Sequence, residues 1–155
     1  MSTYTNSSAF AGRGSELQYD VPASSPVTQK TLSEIKTIQF TGAKYDLADV
    51  TNFESGNFRE WLPTLADSGD LSFTGNLIPN DNTESDLISF FNAATLITWH
   101  VVLPAAPGQG FNTSLGTFTF KGYVSSIDRD IPVDKEGTIS GKIKITGEIS
   151  YAAGS

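Results

Sequence analysis

The sequence predicts a mainly β domain: two packed antiparallel sheets, as a sandwich or open barrel, with one α-helix on the flank. Three observations predict it. Residues 138–149, TISGKIKITGEI, alternate strictly, with Ile139, Ile143, Ile145 and Ile149 on one side and Gly141 and Gly147 between them. Thr138, Ser140, Lys142, Lys144, Thr146 and Glu148 fall on the other side, so one face is buried and one wet. Further period-two segments follow one another across Gly, Pro and Asn turns, and a single segment carries a helical period.

Residues 1–30 are rich in Ser, Thr, Ala, Gly and Asn, contain Pro22 and Pro26, and show little apolar periodicity. They are expected to form a flexible N-terminal arm. The block LSEIKTIQFTGAKYDLADVTNF predicts two short strands, near 33–40 and 44–51, with a turn at Gly42. Residues 52–69 have no clean period and read as a loop, yet they hold Phe53, Phe58, Trp61, Leu62 and Leu65. A long loop so rich in large apolar groups is unusual, because loops run over the surface and are mostly polar.

In GDLSFTGNLIP, Leu71, Phe73, Gly75 and Leu77 alternate with Asp70, Ser72, Thr74 and Asn76, which predicts a half-buried strand. A helix follows, with Thr83 as its cap, Asp86 three residues on, and Leu87, Phe90, Phe91 and Ala94 as its apolar stripe. LITWHVVLP is a strand whose inner face is Ile97, Trp99, Val101 and Leu103. AAPGQGFNTS reads as a loop, and TFTFKGYVSSI opens a long terminal hairpin with 138–149. Residues 31–151 thus form the β domain, and 152–155 a short C-terminal tail.

At 155 residues the chain fits one domain. A compact fold of 16.6 kDa exposes roughly 7,600 Å² and has room for a real core. With no cysteine, disulfides and thiolate metal sites are excluded. No stretch approaches a membrane span, so no membrane insertion is expected. The N-terminus lacks a signal-peptide pattern, which makes the cytoplasm of the producing cell the expected compartment. The net charge is −7. Asp67, Asp70, Asp81, Glu84 and Asp86 occur between 67 and 95 with no base among them, whereas bases and acids balance from 117 to 149. A tight nucleic-acid binder needs a basic stripe to neutralise phosphates. This pattern better suits a surface that nucleic acid passes without sticking.

Catalytic and ligand-binding readings find little support, and no cofactor is expected. His100 is the sole histidine, on the polar side of its strand, and reads as structural. DNTESD has Asp86 and Asn92 where a calcium loop begun at Asp81 needs Gly and Glu, so it reads as a solvated helix start. Asp128 and Asp130 flank Arg129 without an aromatic platform, a pattern of edge charges that blocks unwanted strand pairing. Gly108 to Gly110 is a bare turn; Trp99 faces inward and Trp61 lies in the apolar loop. The chain reads as a non-enzyme.

The ordered set of elements resembles the tail-tube (major tail) proteins of long-tailed bacteriophages over residues 32–150. The resemblance is carried by Gly69-Asp70-Leu71-Ser72-Phe73, by Phe120-Lys121-Gly122-Tyr123-Val124-Ser125-Ser126, and by Lys142-x-Lys144-x-Thr146-Gly147. It implies six copies closing into a ring, rings stacking into a hollow virion tube for the genome, and inner sheets joining edge to edge. Made in the host cytoplasm, the protein would end in the phage tail. It implies as partners further copies of the chain, tail terminator, tape-measure and baseplate proteins, and double-stranded DNA in transit. The chain ends at AAGS, so no added C-terminal immunoglobulin-like domain is expected.

In such a tube Asp70, Ser72, Thr74 and Asn76 are the candidate lumen-facing residues, joined by the acids of 67–86, while Lys121, Lys142 and Lys144 suit the outside or pairing with acids. Phe53, Glu54, Phe58, Arg59, Trp61, Leu62 and Leu65 are candidates for a contact between subunits or rings. Two other classes fit the pattern. A secreted hexameric tube protein of a contractile secretion system would share the fold. A monomeric carbohydrate-binding β-sandwich would need an exposed aromatic platform and no apolar loop.

Overall fold

The computed structural model describes residues 12–22, 24–104 and 116–153, and these contain nine strands. They are β1 (Glu16–Asp20), β2 (Gln29–Thr31), β3 (Ile35–Thr41), β4 (Lys44–Asp49), β5 (Trp61–Asp67), β6 (Asp70–Asn76), β7 (Ile97–Val102), β8 (Gly116–Asp130) and β9 (Thr138–Ala153). Helix α1 (Asn82–Ala93) lies between β6 and β7. The loop expected at 105–114 falls outside the described residues.

Seven strands form one antiparallel sheet in the order β2-β1-β7-β8-β9-β6-β3. The sheet curls until Phe40 of β3 packs on Phe118 and Phe120 of β8, at centroid separations of 5.6 and 5.7 Å. Its two halves therefore face each other like the leaves of a sandwich, and among the described residues β2 and β3 are its edges. Between the leaves lies a core whose largest members are Trp99, Tyr19, Phe73 and Phe120. Gly141 lets β9 approach Phe73: a Cβ there would sit 2.7 Å from the phenyl ring.

α1 covers the apolar side of the sheet through Leu87 and Phe90. Phe90 meets Tyr19 edge-on at 5.3 Å and Trp99 at 6.3 Å. Its cap is Asp81 rather than Thr83. The Asp81 carboxylate accepts from the Thr83 backbone N–H at 3.1 Å, and the Thr83 hydroxyl donates to that same carboxylate. Phe91, expected inside, is half exposed because the buried stripe is only as wide as the Leu87–Phe90 pair. Ala94 ends the helix in the left-handed region, φ 50°.

Both expected termini are corrected. The arm anticipated over 1–30 already joins the sheet at β1 and β2, and Leu17 and Tyr19 are fully buried. At the other end β9 continues through Ala153, so the tail anticipated from 152 is strand as far as the structure describes it. Residues 1–11 lie outside the described residues. The loop expected over 52–69 is also corrected: 61–67 is β5, and only 50–60 is a connection.

Candidate assembly surfaces

Gly42 is not a hairpin turn. β3 and β4 are successive segments of one rail, and β5 and β6 are the other, since β3 pairs with β6 while β4 pairs only with β5. The break falls at Gly42 and Gly69, with φ of +84° and +82°. Only glycine tolerates this region freely, and a Cβ on Gly69 would lie 2.0 Å from the Thr41 carbonyl oxygen. The β4–β5 ribbon therefore leaves the sheet at an elbow. Lys144 of β9 holds this elbow, with its Nζ 3.0 Å from Asp67 and 3.7 Å from Asp70. The Gly69 N–H and then Lys144 hold the Asp67 carboxyl below its ordinary pKa, and the bond to Asp67 raises that of Lys144.

All seven residues expected at an intersubunit contact sit on this ribbon. Phe53, Glu54, Phe58 and Arg59 are on its tip, and Trp61, Leu62 and Leu65 on β5. All seven are exposed, Phe53 completely and Phe58 to 81 %. The opposing rail adds Tyr45, Leu47 and Val50, also exposed, which the sequence reading missed. The alternation YDLADV was their signal. Cross-strand neighbours Leu47 and Pro63 share one face and Ala48 and Leu62 the other, so both faces are apolar. The tip is pinned by polar bonds: Glu54 N–H to Asn52 Oδ1 at 2.8 Å, Ser55 hydroxyl to Glu60 at 2.7 Å, and Glu60 N–H to the Thr51 hydroxyl at 3.0 Å. Hydrogen bonds within the tip thus shape it, while its aromatic groups face solvent.

Asp70, Ser72, Thr74 and Asn76 occupy the polar face of β6, opposite Lys144, Lys142, Ser140 and Thr138 of β9. Lys121, Lys142 and Lys144, expected outside or paired with acids, share the face of these four residues, and Lys144 is paired with Asp67 and Asp70. Continuing across β8, β7 and β1, the same face carries Lys121, Asp128, Asp130, His100, Asp20 and Glu16. Its five acids outnumber its three lysines. The α1 acids lie on the opposite side of the sheet, where Asp86 accepts from the Tyr19 hydroxyl at 2.5 Å and Glu84 binds Arg129 at 2.8 Å. Asp70 and the helix acids accordingly do not form one surface. Burial, then the bond to Asp86, raises the Tyr19 pKa and keeps its hydroxyl a donor.

Of the residues weighed for catalysis, His100 is enclosed by Asp20 at 3.0 Å, Thr119 at 3.1 Å and Gln29 at 3.3 Å. Arg129 is bound to Glu84, and among the described residues β8 has no strand neighbour on its β7 side beyond Gly122. Asp128 and Asp130 thus do flank an edge. Among the described residues no three His, Cys, Asp or Glu side chains are grouped to hold a metal ion, and no helix is long and apolar enough to cross a membrane.

A family model described as "Lambda phage tail tube protein, TTP" matches residues 12–152. No curated protein sequence matches the chain. Among solved structures, the tail of an empty gene transfer agent particle, refined with helical C6 symmetry, is similar at a TM-score of 0.71 and 16 % identity, over 94 % of this chain and 100 % of that one. The SPP1 tail tube gives 0.68 at 12 % identity, over 94 % and 80 %. A sheath/tube terminator of the PVC extracellular contractile injection system gives 0.69 at 8 % identity, over 94 % and 97 %. At these identities the structures share the fold alone. The family match spans β1 through most of β9, and the chain belongs to the lambda phage tail tube protein family.

Proposed function

We propose that six copies of this chain close into a ring through their sheet edges, and that rings stack into the hollow tube of a phage tail through which double-stranded DNA leaves. The protein is a structural virion component, in keeping with its family. The observation that carries the assembly reading is the uncovered ribbon. An isolated two-stranded ribbon is marginal in water, and one apolar on both faces needs a partner. The unpaired strands β2 and β3 supply edges for joining neighbours. The C6 symmetry of the similar gene transfer agent tail supports the ring number.

In this reading the polar face of β6 and β9 lines the bore, with Asp70, Ser72, Thr74 and Asn76 toward the DNA. Lys144 is tied to Asp67 and Asp70, which blunts its attraction for phosphate. Terminator, tape-measure and baseplate proteins meet the tube ends. Terminator and baseplate assemblies occur among the similar structures. Negative-stain electron microscopy with light scattering on the purified protein tests the reading. Rings or hollow tubes are expected. A chain that stays monomeric at high concentration and in the presence of preformed tail tips overturns it.

A further inference from the structure

Two edges of the long-stranded part of the sheet carry charges that the fold itself does not use. β8 runs to Asp130 but pairs with β7 only as far as Gly122, so among the described residues its stretch from Tyr123 onward is an open edge. β2, by comparison, has three residues. Asp128 and Asp130 stand exposed on the β8 edge. Arg129 between them does not neutralise them, because it donates to Glu84, on the other side of the sheet, at 2.8 Å. Arg129 pairs with Ile139, Ile139 with Gly75, and Gly75 with Ile35. The last residues of β8 and the first of β3 therefore occupy the same end of the block β8-β9-β6-β3, on its two outer edges.

The β3 edge has the opposite charge there. Residues 12–15 and Ile35–Ile38 enclose a cleft of about 630 Å³ that holds Arg13 and Lys36 with the Ser15 and Thr37 hydroxyls, and no acid lines it. The ion pairs of the described residues involve none of Arg13, Asp128 and Asp130. Lys36 has one partner, Glu136 at 3.3 Å, with both side chains about half in water. Exposed pairs of this kind hold weakly and leave the lysine able to turn to a second carboxylate.

Resting on the ring reading above, we infer that Asp128 and Asp130 select what the β8 edge accepts: they refuse a second β8 edge and admit the β3 edge of another copy, whose Arg13 and Lys36 receive their carboxylates. An open edge offers its N–H and C=O groups to any strand, a like edge included. Antiparallel β8–β8 pairing would close two copies into a two-fold dimer and consume the edge that a ring needs. It would also gather four carboxylates with no base to receive them. Joining β8 to β3 instead sets two acids against two bases and leaves each copy one edge of each kind until the ring closes. Backbone hydrogen bonds make the joint, and the four charges decide which joints are made.

Charge reversal tests this rule, because a ring of six has room for an even alternation. Arg13→Glu with Lys36→Glu gives a subunit that is acidic at both edges, and Asp128→Lys with Asp130→Lys one that is basic at both. Each alone is expected to form no rings at low salt. Mixed in equal amounts, they are expected to form rings containing equal numbers of the two, counted by native mass spectrometry, since every joint then sets acid against base. All four substitutions in one chain should restore rings without mixing. Rings from either reversed variant alone would overturn the inference, as would a mixture that builds none. Asp128→Ser with Asp130→Ser keeps the edge but removes the refusal, and is expected to give dimers beside rings. Rings free of dimers from that variant would mean that the acids select nothing. Wild-type protein that builds no ring would refute the ring reading itself, whereas wild-type rings without rescue in the mixture refute only the charge rule.

Discussion

Gly69 holds the one backbone position that the ribbon cannot do without. A side chain there would be forced against the Thr41 carbonyl at a φ that costs about 1–3 kcal/mol before any clash. Gly69→Ala is expected to lower the urea midpoint by an amount equivalent to at least about 2 kcal/mol, whereas Gly12→Ala, with nothing within 4 Å of its Cβ, should leave it unchanged. Equal midpoints would remove the elbow. Asp81 is the second sensitive residue. Burial raises its pKa, but the two bonds from Thr83 and one from Ser33 outweigh this and leave the folded value below the ordinary one. Its contribution is therefore complete above the unfolded pKa of about 4 and is lost as pH falls through the folded value. Asp81→Ala should cost about 1 kcal/mol at pH 7 and less below pH 3, as read from thermal melts. The sequence pointed to the wrong cap because Thr83 with Asp86 mimics a capping box, and only the backbone shows that Asp81 has the extended conformation a cap requires.

The β9 alternation was legible because one face is buried from Ile139 to Ile145, and burial is what imprints a period of two. β6 and β7 were legible for the same reason. Of the ribbon, β4 was legible as the strand expected near 44–51, but β5 was not: every residue of β5 before Asp67 is exposed, so no burial pattern marked it as a strand. What the sequence did show was apolar mass in a segment that nothing local could cover. β1 escaped notice because five residues, ELQYD, are too short a window for alternation to stand out from the Ser- and Gly-rich stretch before it. Arg59 offers a direct test of how the ribbon is used. Trypsin is expected to cut free subunits after Arg59 and to spare that bond at least about tenfold in tubes, as measured by mass spectrometry. Equal cleavage in both states would mean that the ribbon stays uncovered after assembly.

At the scale of the whole molecule, the polar face combines a small excess of acid with lysines that are in part tied up by carboxylates. In the proposed tube, where this face lines the bore, the excess of acid would disfavour phosphate binding. Ser72→Lys with Thr74→Lys would add two cations to one strand face in every subunit. Tubes of this variant are expected to retain double-stranded DNA at 50 mM salt and release it near 200 mM, since each neutralised phosphate steepens the salt dependence. Wild-type tubes should retain none at either concentration in a filter-binding measurement. Unchanged behaviour of the variant would place β6 on the outer wall. The fold class was readable from composition and period. The elbow that separates the β4–β5 ribbon from the sheet was not, because it depends on where strands end relative to one another.

The two tryptophans occupy opposite circumstances. Trp99 is sealed between the leaves, with its indole N–H bonded to the Gly122 carbonyl, and Trp61 stands half exposed on the ribbon. The protein thus carries two built-in optical reporters. Emission from Trp99 in a Trp61→Phe variant follows the folding of a single subunit. Emission from Trp61 shifts to the blue when its indole leaves water, so in the proposed assembly its time course would read tube growth and separate the formation of a chain's own core from its capture by a neighbour.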